Sequence, residues 1–454
     1  MIPTRELARR VGLDRPQLRA WAMYDWAISS FQTTVLVAVF PIYYVKVAGA
    51  PLPESRAVQY LATVNTVAAL IVAVLSPILG AISDFAAAKK RLLAGSMLLG
   101  VAATAAMFWI DRGEIGLASV LFALALVGAT ASVVFYEALL PHIAGPDEID
   151  RVSSAGYAVG YIGGGVLLAL NLAWIRYPQI LGIESGSGVS EHVATLPARL
   201  AFLSVAIWWL GFALPLFKKV PEPPRALEPD EHPSGSLLLT PFVRLFETMR
   251  QLRGYRQAFL MLLAFLVYND GIQTIIKMAT AYGTEIGIGE SALIGAILLV
   301  QFVGVPFAFL FGALAGAIGA KRAIFLGLAV YTVIATLGYF MKTAAHFFLL
   351  AGLVGMVQGG TQALSRSLFA ALVPAHKSGE FFGFYSVFEK FSSVLGPLLF
   401  AGTIAVTGSS RNAILSVIAF FVVGAFLLAL VDVEEGRAAA RRAEEGLRVV
   451  ADPA

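Results

Sequence analysis

The chain has 454 residues, of which 58% are hydrophobic and 14% charged, with a net charge of +4 and no cysteine. A soluble domain carries about 25% charged residues, so this composition, with its mean hydropathy of +0.79, excludes an ordinary soluble fold. The missing thiols exclude disulfides, cysteine–zinc sites and thiol chemistry, and the small basic excess sits on flanks of apolar runs, which points to a membrane surface and not to nucleic acid.

The basic stretch Arg5, Arg9, Arg10, Arg15 and Arg19 opens the chain. The apolar run behind it is too long for a signal peptide and lacks a small-residue cleavage site, so it reads as a first membrane helix. Six apolar runs follow one another at 20–45, 58–82, 92–110, 115–140, 153–175 and 199–217 (helices 1 to 6). Six more stand at 258–286, 291–316, 322–341, 347–373, 381–406 and 412–431 (helices 7 to 12). Each is near the ~20 residues a bilayer requires. The pattern predicts an all-α membrane protein with twelve transmembrane helices. Its expected division is an N-terminal segment 1–19, a six-helix bundle 20–217, a linker 218–257, a second bundle 258–432 and a tail 433–454.

Most of the 33 Lys and Arg fall in the N-terminus, every second loop, the linker and the tail, which predicts that all of these are cytoplasmic. Within the linker, residues 220–236 are rich in Pro and acids and read as a loose tether. Thr240 and Pro241 then open a stretch where Phe242, Leu245, Phe246, Met249 and Leu252 recur at helical spacing, as in an amphipathic helix lying on the lipid. The tail reads as a short charged helix with a frayed end.

The two sets of six echo each other. Pro77 and Gly80 precede Asp84, Lys89 and Lys90, and Pro306 and Gly312 precede Gly316, Lys321 and Arg322. Helix 4 ends at Pro141 as helix 10 ends at Pro374, and Gln32-Thr33 in helix 1 matches Gln273-Thr274 in helix 7. A shared order of this kind marks a duplicated unit framing a central site.

Polar side chains in a bilayer are costly and tend to face an interior cavity. Asp270, Gln273, Thr274 and Lys277 lie on one face of helix 7, and Gln358, Thr361, Gln362, Ser365 and Arg366 on one face of helix 10. Of these, Asp270, Gln273, Thr274, Lys277, Gln358, Gln362 and Arg366, with Gln32, make the expected substrate cavity. Asp270, Asp25 and Glu389 are the candidates for proton coupling, because a carboxyl group inside a membrane can cycle between charged and neutral forms. Asp84, Lys89, Lys90, Glu137 and Lys390 are the expected gate. Glu389 and Lys390 point about 100° apart on their helix and read as partners of other helices. Trp21, Tyr24 and Trp26 read as interfacial aromatics, and the glycines of helix 5 as packing positions. None of the five His pairs with another at metal-ligand spacing, and no nucleophile–base set or phosphate loop is present. No catalytic site, metal or cofactor is therefore expected.

The segment Gly80-Ala81-Ile82-Ser83-Asp84 with Lys89 and Lys90 resembles the major facilitator signature between helices 2 and 3, except that Phe85 and Ala87 replace its basic residue and glycine. The second-half copy has Gly316 where an acid is common and keeps Gly319 and Lys321. RAWAMYDWAISSF (19–31), ALLPHIAGPDEIDRVSSAGYAVGYIGGG (138–165), FLVYNDGIQTIIKMA (265–279), VQGGTQALSRSLFAALVP (357–374) and EFFGFYSVFEKFSSVLGP (380–397) resemble the vacuole-effluxer, autophagy-related permease-like branch of that superfamily. The resemblance implies the major facilitator fold of two pseudo-symmetric six-helix bundles and, for fungal members, amino-acid export.

The expected protein is a monomeric secondary transporter in a bacterial cytoplasmic membrane. It contacts lipid, a small solute and protons, but not nucleic acid. A zwitterion such as an amino acid suits a cavity holding both acids and bases. Sugars, peptides and drug-like amphiphiles stay open, as does a non-transporting receptor or scaffold.

Overall fold

In a computed structural model of the protein the described residues are 4–184, 189–227, 255–392, 395–445 and 447–450. Among them, twelve helices are long and apolar enough to cross a membrane. They are Pro16–Ala48, Glu54–Phe85, Lys89–Trp109, Ile115–Ile143, Ile149–Arg176, Leu196–Lys219, Arg256–Ala279, Ala292–Ile318, Ala320–Tyr339, Ala344–Leu372, Ala375–Thr407 and Ser410–Ala429, numbered 1 to 12. Helix 1 starts earlier than its apolar run because Pro16 takes the first turn, where a missing N–H costs nothing. The even number of such helices among the described residues leaves the two described ends on one face, the terminus-bearing face.

Two helices depart from a regular ladder. Helix 1 widens to π-type bonding over Phe31–Ala38, with the Val39 amide on the Thr34 carbonyl at 2.7 Å. Pro41 follows at once; it has no N–H to return to the preceding turn. Helix 11 is built from Ser378–Phe391 and Leu395–Thr407. Neither feature has a hydropathy signature.

Helices 1 to 6 form one bundle and helices 7 to 12 the other. The halves meet along two seams, helix 2 on helix 11 and helix 5 on helix 8, with helix 4 also touching 11 and helix 5 touching 10. The seams are equivalents under the internal repeat, and glycine opens both. A Cβ on Gly80 would meet the Gly379 backbone, and one on Gly312 would lie 2.7 Å from Ser154 Cβ. Without such side chains the backbones approach closely, which is how membrane helices gain packing energy. Helix 2 packs along Ser378–Phe391 of helix 11 and makes no comparable packing with Leu395–Thr407. The halves are thus sealed near the terminus-bearing face and parted towards the other.

The turns after helices 2 and 8 also match. Gly319 has φ +87°, and Ala87, standing where the signature has glycine, is held at φ +47°. A left-handed alanine costs about 1–2 kcal/mol.

The start of the linker is ordered and not loose. Glu222 accepts from the Lys90 amide at 3.0 Å, and Arg225–Leu227 pairs antiparallel with Arg448–Val450 of the tail. The tail helix Val433–Glu444 is capped by Asp432 and runs under helices 7 and 10. The amphipathic stretch expected at 240–253 lies outside the described residues.

Candidate functional site

The seal is built from the end of helix 2. Asp84 Oδ1 meets Lys89 Nζ at 2.5 Å, and both side chains are buried. The same carboxylate accepts from the amides of Gly379 (3.1 Å) and Glu380 (2.9 Å) in the first turn of helix 11. An anion there satisfies orphan N–H groups and the positive end of the helix dipole. Beside it Ser378 Oγ donates to the Ala138 carbonyl of helix 4 at 2.8 Å and lies 3.2 Å from His142 Nε2. Lys90, expected in this gate, stays in the first half: its Nζ donates to the Phe217 carbonyl of helix 6 at 3.1 Å. One residue along a helix turns a side chain by about 100°, which takes Lys90 away from the seam that Lys89 faces.

A second, deeper layer centres on Arg366 of helix 10, which is 1% exposed. Its Nε donates to Ser153 Oγ and its Nη2 to the Ser153 carbonyl of helix 5, both at 2.9 Å. Its Nη2 lies 3.3 Å from Asp25 Oδ2 of helix 1, and its Nη1 3.8 Å from Glu137 Oε1 of helix 4. Tyr136 donates its hydroxyl to the same Asp25 oxygen at 2.7 Å. Three rings surround the guanidinium: Tyr157 at 4.6 Å, Trp21 at 4.8 Å and Tyr136 at 5.7 Å. Arg366 was expected among the cavity residues. The structure places it in this cross-half layer, because helices 1, 4 and 5 all present their polar faces to it. Trp21 and Tyr24 are fully buried and not interfacial, and Trp21 stacks on Tyr136 at 4.5 Å.

Gly156 of helix 5 admits this arrangement. A Cβ there would press on the Asp25 carboxylate and lie 3.0 Å from the Trp21 ring and 3.1 Å from Arg366 Nη2. Gly156→Ala is expected to lower stability by about 1–3 kcal/mol, as overpacking does, seen as a lower unfolding midpoint in detergent. An unchanged midpoint would mean that the layer yields freely.

Above this layer, helix 7 faces both described segments of helix 11. Asp270 is buried, and its two oxygens accept from the amides of Leu395 (3.0 Å) and Gly396 (2.8 Å). Asn269 donates to Ser392 Oγ at 2.6 Å and accepts from Gln362 of helix 10 at 2.6 Å. Adjacent residues of helix 7 therefore hold the end of one helix 11 segment and the start of the next. Thr274, expected in the cavity, is buried, with its hydroxyl given to the Asp270 carbonyl at 2.7 Å. The common i−4 back-bond of threonine explains this, and Gly396 packs against it.

Gln273, Gln358 and Gln362 are half-buried, while Lys277 and Gln32 are exposed. Lys277 lies in electrostatic reach of Lys390 and Asp270. Lys390 was expected at the gate, but it lies in the last turn of the Ser378–Phe391 segment, 11 residues from Gly379, roughly 16 Å along the helix from the seal. It pairs with its neighbour Glu389 at 3.6 Å, so the two do form a pair: long side chains bridge the 100° that separates their stems. Among the described residues no group of three or more His, Asp or Glu is placed to hold a metal.

Sequence reasoning missed Ser153, Tyr157 and Asn269. Asn269 sits beside Asp270 and was open to view. Ser153 and Tyr157 lie four apart on helix 5, a spacing that marks one face.

The fold is that of the major facilitator superfamily of secondary transporters. Solved structures of this fold match almost end to end. The proton:xylose symporter XylE bound to 6-bromo-6-deoxy-D-glucose superposes with TM-score 0.69 at 15% identity, covering 93% of this chain and 98% of that one. The transporter FucP in the outward conformation gives 0.62 at 13%, covering 93% and 99%. At such identities the likeness speaks for the fold alone.

A family model described as "Vacuole effluxer Atg22 like" matches residues 54–149 and 146–441, and the chain belongs to that family. It is 37% identical over 419 residues to the "Uncharacterized MFS-type transporter YxiO" of Bacillus subtilis (strain 168), covering 92% of this chain and 95% of the relative. It is 29% identical over 317 residues to "Autophagy-related protein 22" of Yarrowia lipolytica (strain CLIB 122 / E 150), covering 63% of this chain and about half, 51%, of that longer relative.

Proposed function

We propose that the protein carries a small zwitterionic solute, an amino acid in the first place, across a bacterial cytoplasmic membrane by alternating access. One observation carries this reading: the halves are tightly joined at one face only, and the polar residues of helices 7, 10 and 11 gather above that seal. A cavity flanked by a closed gate and a parted one is what rocking of two bundles produces. Both termini lie in the cytoplasm on this reading, so the sealed face is the inner one and the parted face opens to the outside. The chain acts as a monomer.

Protons drive the cycle through Asp270. Its charge is what the Leu395 and Gly396 amides hold, and charge-assisted bonds are about twice as strong as neutral ones. Protonating the carboxyl weakens the grip of helix 7 on the outer segment of helix 11 and links proton occupancy to the position of that segment. In proteoliposomes Asp270→Asn is expected to abolish accumulation driven by a pH gradient while leaving solute counterflow within a few-fold of wild type. Accumulation that persists in Asp270→Asn shows that the proton travels elsewhere. Counterflow that never exceeds empty liposomes over a panel of amino acids, sugars and peptides favours a receptor or scaffold.

A further inference from the structure

The layer around Arg366 has the composition of a cation site that already holds a cation. Three aromatic faces stand 4.6–5.7 Å from the guanidinium. Two carboxylates, Asp25 and Glu137, close the remaining sides. All five of these groups belong to helices 1, 4 and 5 of the first half. Their guest alone belongs to the second half, on helix 10. Ring faces and carboxylates attract any desolvated organic cation, not arginine alone.

We propose that Trp21, Asp25, Tyr136, Glu137 and Tyr157 form a cation cage that Arg366 fills as a tethered stand-in, and that an alkylammonium or guanidinium group of the solute fills it when the halves part at the terminus-bearing face. The inference rests on the alternating-access reading. When helix 10 withdraws, Asp25 and Glu137 stay behind on helices that do not move relative to each other. Two carboxylates left facing aromatic rings without a counter-charge are unfavourable in a membrane interior, so the open state recruits a cation. When Arg366 returns it competes for the same acids and expels the guest. The cage also holds its own shape: Trp21 is stacked on Tyr136 and donates Nε1–H to the Tyr136 carbonyl at 3.1 Å. The cage is built before the solute arrives.

Chemical complementation tests this. Arg366→Ala deletes the atoms that ethylguanidinium restores. In purified Arg366→Ala, ethylguanidinium at millimolar concentration is expected to raise the unfolding midpoint saturably. Wild type, whose cage is full, should bind at least 10-fold more weakly, and so should Arg366→Ala combined with Asp25→Asn. A second route keeps Arg366: Gly379→Val, which keeps the terminus-bearing face open, is expected to gain ethylguanidinium binding over wild type. If Arg366→Ala does not yield folded protein, this variant decides alone. No saturable binding to either variant, or binding that survives the loss of both Asp25 and Glu137 charges, overturns the cage; protons alone neutralising the acids would give the first of these results. Wild-type counterflow is read separately. Transport without ethylguanidinium binding sinks the cage and spares the transporter, and binding without transport does the reverse.

Discussion

Gly379→Val is expected to leave the protein open at its terminus-bearing face and to stop transport. A Cβ on Gly379 would press on Ser83 Oγ and lie 2.7 Å from the Gly80 carbonyl and 2.8 Å from Asp84 Oδ1. Behind the Ser83 hydroxyl, which is itself bonded to the Gly80 carbonyl at 2.6 Å, these neighbours are backbone and a pinned carboxylate, and neither can move aside cheaply. Valine adds two further carbons into the same gap. Overpacking of this kind costs about 1–3 kcal/mol, which by itself moves a two-state balance by roughly 5- to 150-fold. The loss falls on the sealed state alone, since the two glycines meet only there. The natural chain has no cysteine, so a single Ser386→Cys on the buried face of helix 11 reports the opening without background. Its labelling by a membrane-impermeant maleimide from the terminus-bearing side should rise by at least tenfold. Labelling that stays at the Ser386→Cys level would show that the seal lies elsewhere. Asp84→Asn should move the balance the same way but less, because it removes a charge and leaves the shape.

Arg366→Met should be the most destabilising single change in the central layer. It keeps bulk and removes the charge shared by Asp25 and Glu137. Breaking a buried pair by removing one partner costs about 3–5 kcal/mol, because the remaining charge is left uncompensated. The unfolding midpoint in detergent is expected to fall accordingly. Combining Arg366→Met with Asp25→Asn and Glu137→Gln removes the mismatch and should recover most of the loss, while transport stays absent in both. If the triple variant is no more stable than the single one, the role of Arg366 is its packing between the rings and not its charge.

Hydropathy carried the twelve spans, because insertion into lipid is decided one segment at a time and each segment holds its own signal. The stripes on helices 7 and 10 were legible for the same reason: a helix face is a local property. Which face meets which partner is not local. Arg366 and Asp25 stand 341 positions apart, and nothing in either segment specifies the other. Trp21 shows the same limit. An aromatic near a helix end suits the lipid headgroups, and only the ring of Tyr136 lying over it turns it inward. Lys89 and Lys90 look interchangeable in sequence, yet one closes the seam and the other ties helix 3 to helix 6. The bonds that helix 7 makes to Ser392, Leu395 and Gly396 of helix 11 were hidden too, since an apolar run carries no mark of the backbone amides that a neighbouring helix will take up. Asp270 was found for its cost in lipid; its hold on two backbone amides was not foreseeable from that.

The pairing of Arg225–Leu227 with Arg448–Val450 has a mechanical meaning. The first strand leaves helix 6, and the second follows a helix fastened to the other half, through the Gln257 bond to the Asp432 amide at 2.8 Å and the Glu444 carboxylate on the Ala375 amide at 2.7 Å. The terminus-bearing ends of the bundles are therefore roped together twice, once by the chain itself and once by three residue pairs that can unzip. Any parting of the halves at this face must either strain that rope or let it slip. If the halves rock as proposed, the tail would act as a governor that loads one half-cycle only, and whatever grips or frees its strand would change the pace of the cycle without touching the solute.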